Sequence, residues 1–175
     1  PRGVQAWGSN QGTMSLYGCI IKCPVDGGGT VAYLGSTSAT LVTVINNVFI
    51  GGDKGLSIAQ YDPYYIANNT AIDCGAAGFS RTTTGGTGGS SFINNVDFGC
   101  AATVDLQDAG AFTTITNNAT DYSSTVITGA APVYNITSAD FVDYAGGDYR
   151  IDDTSVLYNA GADLSGTFTD DLRGT

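Results

Sequence analysis

The stretch "VINNVFIGG", Val44–Gly52, sets two adjacent asparagines between apolar β-formers, and the chain repeats the device. "IANNTAIDCG" follows from Ile66, "FINNVDFGC" from Phe92 and "TITNNATDYS" from Thr114, so the pairs are Asn46/Asn47, Asn68/Asn69, Asn94/Asn95 and Asn117/Asn118. Successive pairs lie 22, 26 and 23 residues apart. With the second asparagine at position zero, Val44, Ile66, Phe92 and Ile115 form an apolar row three residues before it. A second row, Val48, Thr70, Val96 and Ala119, stands one residue after it, and a third, Ile50, Ile72 and Phe98, three after it. "SLYGCIIKC" fits the same frame with Gly18 at zero and Ser15, Cys19 and Ile21 in the rows, and "NITSADFVDY" fits near Thr137 and Ser138. About six units of 20 to 29 residues then span residues 12–145.

Composition agrees with strands joined by tight turns. Only 13 % of the residues are charged, all 16 acidic residues are aspartate, histidine and glutamate are absent, and lysine occurs only at Lys22 and Lys54. The charged helix formers are therefore nearly missing. Val, Ile, Thr, Tyr and Phe, separated by Asn, Asp, Ser and 25 glycines, supply strands and bends instead. The predicted class is all-β. A net charge of −10 disfavours nucleic acid, whose phosphates are bound by clustered Lys and Arg. No run approaches the roughly 18 apolar residues of a membrane span, so membrane insertion is not expected. The chain opens on Pro1 rather than Met and stops at "DDLRGT", which reads as part of a longer protein.

A unit of this length suits one turn of a parallel β-coil, in which short strands bend back until the chain returns one strand spacing, about 4.8 Å, higher. Like residues then stack on like, and each coil buries its apolar face only against its neighbours. Asparagine tolerates the left-handed backbone of a sharp bend. Its amide can also bond to the amide in the next coil, so Asn46, Asn47, Asn68, Asn69, Asn94, Asn95, Asn117 and Asn118 are expected to form a ladder. The same frame places Cys23, Cys74 and Cys100 five residues after zero. In-register side chains point the same way, which favours free, buried thiols over a disulfide.

The rungs, together with the tail "DFVDYAGGDYRIDDTSVLYNAGADLSGTFTDDLRG" from Asp140, resemble the right-handed parallel β-helix of the pectin-lyase-like superfamily. That superfamily holds polysaccharide lyases and hydrolases, bacterial adhesins, and tailspikes and other virion proteins of bacteriophages. The resemblance implies a single-stranded β-helix over 12–145, with 146–175 as a closing coil and crossover segment. Residues 1–11 are an arm or the remnant of an earlier coil. It also implies association as a homotrimer, and partners among other virion or surface proteins.

The chemistry of the family's enzymes finds few counterparts. The polygalacturonase-type Gly-His-Gly is impossible without histidine, and "RID" at Arg150–Asp152 is not its Arg-Ile-Lys. A lyase needs calcium-binding carboxylates and a basic residue, but Lys22, Asp73 and Asp97 do not share one row and are spread over coils that are not all adjacent. Adjacent aspartates such as Asp152–Asp153 and Asp170–Asp171 point to opposite faces of a strand, whereas glycoside hydrolysis needs two convergent carboxyls. "DDTS" reads as a turn bonding its own backbone. Neither catalytic residue, cofactor nor metal site is assigned. Candidate contact residues are Tyr61, Tyr64 and Tyr65, which could stack on a sugar or partner, and Arg81 in the Gly-rich loop Ser80–Ser91. The sequons at Asn68, Asn118 and Asn135 read as accidental, two of them lying in the ladder.

The expected function is that of a non-enzymatic structural or attachment protein, most plausibly a phage tailspike, fibre or capsid-decorating component, in the virion or outside the cell. Alternatives are a secreted polysaccharide lyase or hydrolase, a protein binding cell-surface polysaccharide, and a bacterial adhesin or filament protein.

Overall fold

The computed structural model describes residues 3–8, 12–24, 28–36, 41–59, 63–81, 88–101, 105–106, 112–122 and 129–167. Three strands make each coil. The first holds β1 (Val4–Gly8), β2 (Thr13–Tyr17) and β3 (Ile20–Cys23), and the second β4 (Thr30–Ser36), β5 (Leu41–Ile45) and β6 (Val48–Gly51). The third holds β7 (Lys54–Ala59), β8 (Tyr64–Ala67) and β9 (Thr70–Ile72), and the fourth β10 (Ala77–Arg81), β11 (Ser90–Ile93) and β12 (Val96–Phe98). The fifth holds β13 (Asp105–Leu106), β14 (Phe112–Thr116) and β15 (Ala119–Thr120). Equivalent strands pair in parallel into three five-stranded sheets, β1-β4-β7-β10-β13, β2-β5-β8-β11-β14 and β3-β6-β9-β12-β15. The all-β stacked-coil solenoid expected from the sequence is the observed fold.

Five stacked levels make about four turns, not the six expected. The first five repeat units are real, but the unit placed near Thr137 and Ser138 is not a level. Above β15, two parallel bridges, Thr116 to Ala130 and Ala119 to Val133, extend the sheets among the described residues, and they put Pro132 over Asn118. Residues Ser138–Asp140 form a 3₁₀ turn with a capping box between Thr137 and Asp140. An antiparallel hairpin follows, β16 (Phe141–Asp143) with β17 (Asp148–Ile151). Residues 141–167 lie against the outside of the stack. Val4–Gly8 pairs along β4 and so belongs to the first coil.

The asparagine pairs divide the labour assigned to them jointly. Asn46, Asn68, Asn94 and Asn117 adopt left-handed φ of 57°, 53°, 55° and 53° and make the corner between the second and third sheets. Asn47, Asn69, Asn95 and Asn118 are buried and carry the ladder. Asn69 Nδ2 donates to Asn95 Oδ1 at 3.0 Å, to Val44 O at 2.8 Å and to Ala67 O at 3.0 Å. Its backbone N–H donates to the same Asn95 oxygen at 3.1 Å. Asn47 repeats this pattern against Asn69, and Asn95 repeats it against Asn118.

In the first coil the frame shifts by one from the sequence expectation. Tyr17 pairs with Ile45 and Ile20 with Val48, so Gly18 occupies the left-handed corner, at φ 60°, and Cys19 the rung position. Cys19 N–H donates to Asn47 Oδ1 at 3.0 Å. Cys23 consequently lies beside Gly51 and out of line with Cys74 and Cys100. All four thiols are free, three of them buried.

The core inside the coil is the row three before zero with the strands facing it. Val44, Ile66 and Phe92 pack against Leu34, Leu56 and Phe79, and the Phe79 and Phe92 rings meet edge to face at 5.2 Å. The two later rows face outward instead, because side chains alternate along a strand. They are buried by the C-terminal segment.

Removal of a middle rung should therefore be far more damaging than loss of a corner amide. Asn95→Ala strands two donors of Asn69 and two carbonyls, and is expected to cost about 2–4 kcal/mol in chemical denaturation. Asn68→Gly keeps the left-handed corner and should be within about 0.5 kcal/mol of the parent, whereas Asn68→Val should cost about 1–2 kcal/mol.

Candidate functional site

Among the described residues, a groove and an enclosed carboxyl are the candidates for a site. The first is a groove between the outer corner of the coils and the C-terminal segment. That segment is anchored by apolar contact: Phe98 meets Phe141 at 5.1 Å and Tyr144 at 5.0 Å between ring centroids, with Ile50 and Ile72 beside them. Tyr144 hydroxyl donates to Asp73 Oδ1 at the corner of the third coil. Asp140 ties the segment to itself, accepting from Thr137 N at 2.7 Å and Ser155 Oγ at 2.7 Å. Burial opposes ionisation of Asp140, but these bonds hold its carboxyl below the ordinary value.

Beyond Ile151 the segment returns along the outer asparagines. Asn94 donates to Ala162 O at 2.9 Å and accepts from Ala162 N at 2.7 Å, and Asn117 donates to Ala160 O at 2.8 Å. Leu164 packs on the row of Ile45, Ala67 and Ile93. Between this return path and the coils a groove of about 330 Å³ remains, with Asn68, Asn94 and Asn117 on one side, Val96 and Ala119 beneath, and Ile151, Leu157 and Gly161 opposite.

The second place is inside the coil. Phe49, Ala71, Asp97 and Thr120 share one inward row. Asp97 is 1 % exposed, and among the described residues neither of its carboxyl oxygens has a hydrogen-bond partner. It fits because Gly78 faces it: a Cβ there would come within 2.5 Å of Asp97 Oδ1. Burial pushes the Asp97 carboxyl up to about 7, with the nearby Cys100 thiol opposing and Asp121 adding to the rise. Cys74 N–H donates to Cys100 Sγ at 3.3 Å. The Cys74 thiol, burial and Asp97 together push the Cys100 thiol up, so it stays protonated.

No known protein family matches this chain, and no curated protein or solved structure matches it significantly.

The residues singled out from the sequence do not converge. Tyr64 is buried and donates to Ala59 O at 3.1 Å, so it caps the core rather than meeting a partner. Tyr65 is half-buried against Leu164 and Ala162. Arg81 ends β10 in register with Ile58, which places it in a strand and not in the Gly-rich loop, and it too is buried. Tyr61 lies outside the described residues, as do residues 82–87 of that loop and Asp170–Asp171. Lys22 is exposed in register with Ile50, Asp73 is held by Tyr144, and Asp97 is enclosed, so these three make no common site. Asp152 forms the expected turn, accepting from Thr154 N at 2.8 Å. Of the sequons, Asn118 is a rung, but Asn68 faces outward into the groove. Among the described residues no group of three or more acidic or cysteine side chains is placed to hold a metal.

Both places escaped the sequence reading. Asp97 was legible in principle, since strict alternation between two outward rows leaves the position between them facing in. The groove was not, because it exists only where the tail crosses the coils.

Asp97 sets a pH dependence with a definite sign. Its folded value near 7 lies above the ordinary 3.8, so the unfolded chain releases the proton first. The stabilisation is complete below pH about 4, declines as pH rises, and is gone above about 7. Denaturation at pH 8 should show about 2–3 kcal/mol less stability than at pH 5, and Asp97→Asn should remove most of that difference.

Proposed function

We propose that this chain is a non-enzymatic structural or attachment module of a bacteriophage virion, of the tailspike, fibre or capsid-decorating kind, on a pectin-lyase-like β-helix. The observation that supports it most is the unbroken buried ladder from Cys19 through Asn118, clasped on its outer wall by the chain's own tail. Such a rod satisfies its backbone groups coil upon coil and resists local opening, which suits mechanical load and exposure to proteases. The resemblance of the rungs and of the "GGDYRIDD…NAG" tail to virion β-helices points the same way. Separation of Lys22, Asp73 and Asp97 by the coil wall supports a role without turnover. The carboxamide-lined groove favours attachment over a purely mechanical part.

Two measurements test this. Incubation of the full chain with acidic and neutral polysaccharides should release neither reducing ends nor unsaturated products. Release that disappears in Asp73→Asn or Asp97→Asn would replace the reading with that of a lyase or hydrolase. Antibody labelling of lysates from cells encoding the chain should mark phage particles; label confined to the cell surface would make it an adhesin or filament protein instead.

A further inference from the structure

Of the four corner asparagines, Asn68, Asn94 and Asn117 line the groove, and two of these three bond to the tail. Asn68, Asn94 and Asn117 share one backbone geometry, with φ between 53° and 55°, and sit one above another at the strand spacing. Asn94 and Asn117 bond to the backbone of residues 160 and 162. The Asn68 carboxamide is half-buried, lines the groove and, among the described residues, has no hydrogen-bond partner. Its amide atoms reach solvent, so a ligand in the groove would replace water on a donor and an acceptor already in place.

We infer that this groove binds a neutral saccharide unit through Asn68 and Thr70, an inference that rests on the attachment reading above. The chemistry of the two walls selects the ligand. A primary amide and a hydroxyl both donate and accept, as sugar hydroxyls do. Val96, Ile151 and Leu157 offer an apolar surface to the C–H face of a ring. The groove's lining holds no charged side chain, so a cation finds no carboxylate and an anion no base there. The net charge of −10 repels an acidic sugar further. A space of about 330 Å³ lies at the lower end of small-ligand sites, room for a short glycan stretch and not a broad protein surface.

The test is calorimetric titration of the full chain with neutral oligosaccharides, and with uronic-acid or sialylated ones for comparison. Neutral sugars should bind and the acidic ones should not. Asn68→Gly, which keeps the left-handed corner, and Thr70→Val, which keeps the strand, should each weaken binding about three- to tenfold. Unfolding midpoints of both variants would establish that the fold is intact. Binding that neither variant weakens places the site elsewhere, overturning this inference while leaving the attachment reading in place. Selective binding of acidic sugars, or of none, overturns it as well. Particle labelling in that last event would preserve the virion role and remove only the glycan.

Discussion

A carboxamide buried between β-coils is tolerated because another carboxamide lies one strand spacing away. Asn69 and Asn95 each accept two bonds on one oxygen from the coil below and donate through Nδ2 to two carbonyls, one in their own coil and one in the coil below. Left unpaired, a buried amide costs about 1–3 kcal/mol, so the rungs stand or fall together. The ladder also has ends. At the bottom Cys19 takes the rung position and its thiol reaches only Tyr17 O within its own coil, at 3.2 Å. At the top the position above Asn118 falls to Pro132, which offers neither an N–H nor an amide.

The corner that serves the ladder has a consequence on the outside. Turning at a left-handed asparagine leaves the strand after it short, with apolar residues on both faces, and the outward ones must be covered. The C-terminal segment does so over the second to fifth coils, using Phe141, Tyr144 and Leu164 as its anchors. In the first coil the equivalent Tyr17 and Ile20 remain 53 % and 70 % exposed. Two of the corner asparagines, Asn94 and Asn117, lie outside the ladder and read the backbone of the covering segment. The groove is what remains where that cover does not close.

Asp97 stands against this economy. A carboxyl enclosed in the coil, with no hydrogen-bond partner among the described residues, is accommodated by holding its proton and so staying neutral, and by the missing side chain of Gly78. Stacking makes its position compulsory, because the alternation fixed by Val96 and Phe98 outside forces the residue between them in.

Repetition made the coil legible in the sequence: identical pairs at near-constant spacing imply identical places in successive turns, and burial of like on like is what such spacing is for. The left-handed corners, the rungs and the inward row of Val44, Ile66 and Phe92 followed from that alone. Register in the first coil did not, because Gly18 can stand for either member of the pair until Asn47 chooses Cys19 as its partner. Nor did the outward facing of Val48 and Ile50, the enclosure of Tyr64 and Arg81, or the groove at Asn68. Those depend on contacts between residues far apart in the chain, such as Asn94 with Ala162 and Asp73 with Tyr144, for which no period exists. Local repetition fixes what a coil is, and only the path of the tail across it decides which of its faces meets water.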